Sequence, residues 1–419
     1  MKVLLSAYAR IPNRGTEPGH GWGLAVHLAG RGIDVHVLTT TANRELIQQQ
    51  LRIGPIAGLY FHYVDHPRRF RSEEMRYLLW QFAAVRRARD LHVSENFDIV
   101  HHITFGSVHV PSQLWRIGVP VVFGPVGGGQ TPPESMIEYF GSDKRKERAR
   151  TLLTRAIKYS PFHRYWLSKM SSVLVTNRDT YDLVRFLGRK DAKMMFDVMI
   201  ADDFVAPGPR RFEDNPRPLK ILWVGTMRPR KGLALSLDIL ARVRTPATLT
   251  ILGNGFKEDV VRAMIATRKL TDRVIWEDRR LTLSEVREGY LSHDVMLFNS
   301  LRDSCAEQLV ESMALGLPVV ALNIHGASEL VPESAGLKID VQNPEQVIHD
   351  AAAALDRFAG LSGDERSRMS HAGWSFAQGL TFNNKTKQME AIYESVVAKR
   401  QPALFTANAS TRTRYGTGE

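Results

Sequence analysis

The chain has 419 residues, 43% of them hydrophobic, which suits about two domains with full cores and excludes overall disorder. Its net charge of +12 points to a polyanionic partner: an anionic membrane surface, a nucleic acid or phosphorylated substrates. A single cysteine, Cys305, excludes an internal disulfide framework and a cysteine-based metal site.

In chain order, KVLLSAYA (2–9) reads as a buried strand. As an apolar run it is too short for a signal peptide and is soon cut by Arg10 and Arg14. The turn RIPNRGTEPGHGWG follows, with Gly15, Gly19, Gly21 and Gly23. Helical spacing then runs from Trp22 to Ala29, and IDVHVLTT (33–40) is the next strand, a βαβ opening with a Gly-rich first turn. LLWQFAAV (78–85) falls far short of the ~20 apolar residues of a membrane span. A cytoplasmic protein is expected.

FDIVHHITF (97–105), VPVVFGPV (119–126) and SSVLVTN (171–177) are further buried strands. Between the last two, 140–169 reads as one or two helices, basic on one side, either a solvated face or a membrane-surface helix. PGPRRFEDNPRP (207–218) carries Pro, Gly and charge without periodicity and reads as an interdomain linker. The βα pattern then restarts, with strands at LKILWVG, ATLTILG, RVIWED, VMLFNS and PVVAL. Strands alternating with helices place the chain in the α/β class, as two parallel, doubly wound sheets. Trp374 to Lys399 looks helical, and 401–419 is polar and expected to be disordered.

The stretch from Asp303 to Glu329 carries the acids of interest. Asp303 is expected in a loop and Glu311 inside the helix EQLVESMA, which Gly316 and Pro318 stop. Both acids would then face a cleft at the carboxyl end of a strand, where open α/β sheets bind ligands. GTMRPRKG (225–232) follows the first strand of the second sheet. Arg228, Arg230 and Lys231 in a short turn at a helix N-terminus suit a diphosphate, through backbone N–H groups, helix dipole and charge-assisted contacts; a solvated basic turn is the alternative. ILGNGF (251–256) ends a strand in a Gly-x-Gly turn that allows close backbone approach to a ligand.

RGTEPGHGWG is neither a P-loop nor a G-x-G-x-x-G fingerprint, which disfavours an NTPase or a dehydrogenase. His101 and His102 close a strand, so one side chain is expected at the cleft and the other in the sheet. GPVGGGQTPP (124–133) ends the following strand with three consecutive glycines, mobile or ligand-hugging backbone. No spacing resembles a metal site and no G-x-S-x-G elbow occurs, so no metal is expected.

Together GTMRPRKG, ILGNG and DSCAEQLVESMALGLPVVA resemble the GT4 family of retaining glycosyltransferases, which have the GT-B fold of two Rossmann-like domains facing across a cleft. RGTEPGHGW, DIVHHITFGS, PVVFGPVGGG and LRDS resemble the subgroup whose N-terminal loop reads SEPGxGW. The resemblance spans about residues 1–395. It implies an N-terminal acceptor-binding domain (1–205), a linker (206–218), a C-terminal nucleotide-sugar domain (219–380) and a final helix (381–400) packing back on the first domain.

By this resemblance the first acid of the family's Glu-x7-Glu motif, here Asp303, holds the donor sugar, and the second, Glu311, the ribose hydroxyls. Asp303 is one methylene shorter than the usual Glu. Lys231 matches the diphosphate lysine, while the family's arginine position is Thr226 here, with Arg228 or Arg230 to substitute. Gly15, Gly19 and Gly21 approach the diphosphate from the other domain, and Gly253, Asn254, Gly255, Arg279 and Arg280 complete the nucleotide side. Ser304, Cys305, Ala306 and Glu307 lie along the sugar. Glu17, His101, Gly127, Gly128 and Gly129 fall on the acceptor side. The family's histidine near the sugar is absent from PVGGG, so His102 is the candidate for its role.

The activity implied is transfer of a sugar, with retention, from a nucleotide-diphosphate donor to an acceptor hydroxyl, without cofactor or metal. The acceptor is a lipid-linked or other cell-envelope precursor at the cytoplasmic membrane face, with the basic stretches 66–90 and 144–158 against anionic lipid, or a soluble small molecule. A nucleotide-sugar epimerase and a nucleic-acid-binding protein are the other classes. No RNP-like or helix-turn-helix signal supports the latter, so no nucleic-acid partner is expected.

Overall fold

The computed structural model describes residues 1–8, 17–65, 72–214 and 217–399. Gly15, the basic run 66–71, the side chain of Glu17 and the tail 401–419 lie outside the described residues.

Two parallel sheets carry the chain. The first is seven-stranded, in the order β3-β2-β1-β4-β5-β6-β7. Its strands are β1 (Lys2–Ala7), β2 (Asp34–Thr40), β3 (Leu59–Val64), β4 (Ile99–Thr104), β5 (Val121–Val126), β6 (Ser172–Val175) and β7 (Lys193–Met194). The second is six-stranded, in the order β10-β9-β8-β11-β12-β13. It comprises β8 (Leu219–Val224), β9 (Ala247–Leu252), β10 (Val274–Trp276), β11 (Val295–Phe298), β12 (Val319–Leu322) and β13 (Gly336–Ile339). Both orders reverse direction beside the first strand of their half, β1 against β4 and β8 against β11, which opens a crevice at the carboxyl ends of the strands.

The central strands were readable because helices cover both faces, so they are near-continuous apolar runs such as VLL, IV and VVF, all buried. The sequence reading missed β3, β7 and β13, and each lies at a sheet edge. Edge strands are covered less: β3 buries only Leu59 and Val64, β7 is two exposed residues, and β13 begins with Gly336.

Two boundaries differ from the sequence reading. The segment 206–214 is bound to the C-terminal half rather than free between domains. The Ala206 amide bonds to the Ala314 carbonyl, Trp374 Nε1 donates to the Ala206 carbonyl, and the Phe212 amide donates to Ser367 Oγ. The passage between halves lies earlier. Met195 and Met199 join the N-terminal core, whereas Val198 and Ile200 join the C-terminal one. The chain returns beside this point, with Ile200 bridged to Thr381. Trp374 to Lys399 is accordingly two helices, Gly363–Gln378 and Phe382–Ala398, the second capped by Thr381 Oγ1. Met389, Tyr393 and Val396 of that last helix pack into the N-terminal core.

Candidate active site

The two turns expected at the donor are built against each other. The Gly225 amide bonds to the Leu252 carbonyl, and the Met227 amide to the Asn254 carbonyl at 2.7 Å. A Cβ on Gly253 would meet the Gly225 carbonyl, and Gly255 sits at φ +133 against Met227. These glycines therefore serve the packing of one turn on the other. Thr226 and Arg228 project into solvent from this turn.

Past the turn, a 3-10 segment Pro229–Lys231 leads through Gly232, at φ +72, into the helix Leu233–Arg242. The Leu301 amide and Ser300 Oγ both bond to the Arg230 carbonyl, at 2.8 and 3.1 Å, which ties the turn to the loop after β11. That tie brings Lys231 Nζ into an ion pair with Asp303 Oδ2, with Arg230 Nη1 3.4 Å from Oδ1 and Ser300 Oγ donating at 3.3 Å. Burial alone would raise the Asp303 pKa, but Lys231 and Arg230 outweigh it and hold the carboxyl below its usual value. Asp303 is therefore ionised.

A second acidic group follows on the helix Glu307–Ala314. Tyr290 Oη donates to Glu311 Oε2 at 2.7 Å, and Glu307 Oε1 lies 3.3 Å from His20 Nε2. Burial, then the neighbouring Glu307 charge, push Glu311 up to about 7. His20 comes from the other half. Its helix begins at Glu17, so Gly19 and Gly21 lie in the first turns of a helix rather than in a loop before it. From the first turn of that helix, the His20 ring is the group that reaches the Glu307 carboxylate.

The halves meet directly around these groups. Ser304 Oγ bonds to Thr176 Oγ1 at 2.7 Å, and Asn177 Nδ2 donates to the Ser304 carbonyl at 3.0 Å. Arg302 forms a two-pronged ion pair with Glu147 at 2.8 and 2.9 Å. His325 Nδ1 lies 2.9 Å from Asp179 Oδ2, and the Arg178 amide donates to Glu329 Oε1 at 2.6 Å. Gly127 makes room for this contact, since a Cβ there would strike Ser304, while Gly129 lets its strand end pack on the Thr180 backbone of the same half. Ala306 is buried, and burial raises the pKa of the Cys305 thiol, with the neighbouring Asp197 adding to it.

Neither strand histidine reaches the cleft, which corrects the expectation for His101 and His102. Both are fully buried, one on each face of β4. His101 is held between Tyr393 Oη and the Gly124 carbonyl, each at 2.6 Å, and His102 Nε2 against Tyr77 Oη at 2.7 Å. Burial pulls them down to about 4 and about 3, so both are neutral. Arg279 is paired at the surface with Glu277 and Glu285, at 2.8 and 2.6 Å.

The family comparisons divide the chain as the sheets do. A 4-like glycosyl transferase domain matches residues 22–196, and a domain described as glycosyl transferases group 1 matches 218–357. The chain belongs to the GT4-like glycosyltransferases. A D-inositol 3-phosphate glycosyltransferase of Acidothermus cellulolyticus is 25% identical over 422 residues, covering 92% of this chain and 87% of that protein. The protein of the same name from Pseudarthrobacter chlorophenolicus is 27% identical over 188 residues, and this chain spans only 43% of its length. In fold, sucrose-phosphate synthase from Thermosynechococcus elongatus aligns with a TM-score of 0.66 at 14% identity, over 95% of this chain and 99% of that one. The lipopolysaccharide outer core galactosyltransferase WaaB aligns at 0.64 and 14% identity, over 94% and 100%. The protein is thus a GT-B glycosyltransferase.

Sequence reasoning missed His20, Tyr290, Glu147, Arg302, Asn177 and His325. Only one had a local signal: Glu147, Thr151 and Thr154 form a polar stripe at helical spacing, buried while Leu152 and Leu153 face solvent. The others depend on which loops the two halves bring together.

Proposed function

We propose that this glycosyltransferase moves a sugar with retention from a nucleoside-diphosphate donor to the hydroxyl of a lipid-linked, cell-envelope acceptor at a membrane surface. The Lys231–Asp303 pair, with Arg230 beside it, is the observation that carries the donor side. The anomeric C–O bond to the diphosphate breaks while the acceptor oxygen bonds to the same face, and the acceptor proton passes to the leaving phosphate oxygen. Charge growing on the leaving group is met by Lys231, Arg230 and helix N-termini, without a metal ion. Asp303 takes a sugar hydroxyl and Glu311 the ribose. The interdomain contacts exclude water and so limit donor hydrolysis.

The membrane reading rests on an exposed apolar patch. Leu152, Leu153, Tyr159, Phe162 and Phe186 are 52–80% exposed, among exposed Arg155, Lys158, Arg164 and Arg185. Aromatic and aliphatic side chains ringed by cations suit an anionic bilayer interface. No helix among the described residues is long and apolar enough to cross a membrane. The bilayer contact would thus be peripheral.

Transfer is tested with a panel of nucleotide sugars. Lys231→Ala is expected to lower turnover by a factor of about 10²–10³ with the protein still folded. Unchanged turnover would remove the diphosphate assignment. Co-sedimentation with phosphatidylglycerol vesicles tests the surface. Binding is expected to weaken with salt and in Phe162→Ser, and vesicle binding indifferent to both counts against the membrane.

A further inference from the structure

The basic segment that looked like a linker has a second feature. Arg210, Arg211, Arg217 and Arg366 line a cavity of about 680 Å³, together with Phe212, Pro218 and Pro246. It lies at the amino ends of β8 and β11, beside Leu219 and Asp294, on the far side of the sheet from Lys231 and Asp303.

The cations outnumber their partners here. Asp294 is committed to Arg217 through two bonds at 2.6 and 2.8 Å. Arg210 uses one nitrogen on the His293 carbonyl, and Arg366 Nη2 donates to the Glu213 carbonyl at 3.2 Å and lies 4.0 Å from Asp214 Oδ1. Arg366 Nε is a buried donor without a hydrogen-bond partner among the described residues. Arg211 is exposed and lines the cavity, with no hydrogen bond or ion pair of its side chain among the described residues. The Arg210 and Arg366 guanidinium groups share one ring, at 4.5 and 5.8 Å from the Phe212 centroid. Burial lowers the Arg210 pKa; Asp294 opposes this, and Arg217 and Arg366 add to it. Asp294 and Glu213 are the acids of the lining, two against four arginines, so positive charge is in excess there.

We propose that this cavity is a second anion site, taking a phosphate group on exposed Arg211 and on the guanidinium groups of Arg210 and Arg366 that line it. Planar guanidinium groups bind phosphate oxygens two at a time, and Phe212 with the prolines offers an apolar wall for the organic part of an ester. Occupancy would tighten 210–214, which is already bonded to the C-terminal half, and so couple this ligand to that half's stability.

The test uses the full chain carrying Lys231→Ala, which removes the main cation of the donor cleft. This variant is titrated calorimetrically with inorganic phosphate and with glycerol 3-phosphate. Saturable binding of at least one is expected, weakened about tenfold or more by adding Arg211→Glu. Tighter binding of the ester identifies a phosphorylated metabolite as occupant, and equal binding identifies free phosphate. Absence of saturable binding, or binding indifferent to Arg211→Glu at unchanged thermal stability, overturns the proposal. The proposal stands or falls independently of the transfer reaction, because no donor or acceptor enters the measurement.

Discussion

The two halves share one βα architecture but use their strand ends differently. In the C-terminal half, Asp303 lies five residues beyond β11, held by Lys231, Arg230 and Ser300. In the N-terminal half, His101 and His102 fall inside β4, where each sheet face buries one of them. What the N-terminal half brings to the cleft instead is backbone and hydrogen-bonding groups: Gly127, Thr176 and Asn177. A polar residue at a strand end is available for chemistry only past the last ladder position. One or two residues earlier, it becomes part of the core.

That contrast predicts a separation of effects: the C-terminal half should hold the donor, and the N-terminal half should close on it. Gly127→Val puts a branched side chain where Ser304 now sits. It is expected to lower turnover about a hundredfold or more, because displacement of about 1 Å at a reacting centre costs that much. Donor affinity measured by calorimetry should stay within a few-fold. An equal loss of both would mean that the glycines bind donor directly. Glu147→Gln is a milder break. It keeps one hydrogen bond to Arg302 and removes the charge, worth about 1.5 kcal/mol, or roughly tenfold in turnover. Arg302→Gln in the same background should add little, since the two residues act as one contact.

Most of the architecture was legible in the sequence, because doubly covered parallel strands are apolar runs and Gly–Pro clusters mark the turns between them. The edge strands β3, β7 and β13 were not, for lack of that cover, although the edge strand β10 was. In the site, Lys231, Asp303 and Glu311 were singled out as a basic turn and an acid pair, and the structure joins Lys231 to Asp303 and sets Glu311 on a helix. Tyr290 was not. It reaches Glu311 from a neighbouring helix, and nothing local in YLSHD distinguishes its buried hydroxyl. Arg302 and Glu147 are 155 positions apart, a pairing that only tertiary contact reveals. The linker was misread for a related reason. Proline, glycine and charge signal irregular backbone, and irregular backbone can be as firmly bound as a helix.

The smallest expected effect lies in the pH dependence of stability, and it opposes the two halves. Glu311 titrates at about 7 in the folded chain against an ordinary 4.5. Between those values the native state holds a proton that the unfolded chain has released, so this group's contribution to stability falls as pH rises through the window. His101 and His102 titrate at about 4 and about 3, against 6.5. Below 6.5 the unfolded chain binds protons that the native state refuses, so their contribution rises with pH up to that value. From pH 4.5 to 6.5 the slopes therefore have opposite sign. Glu311→Gln should steepen the rise of the unfolding temperature with pH in that range and remove the decline towards 7. His102→Gln should flatten the rise. A Glu311→Gln profile parallel to that of the parent protein would mean that the carboxyl is ionised in the folded state at ordinary pH. The ribose contact proposed for Glu311 would then be that of a permanent anion rather than of a group poised near neutrality.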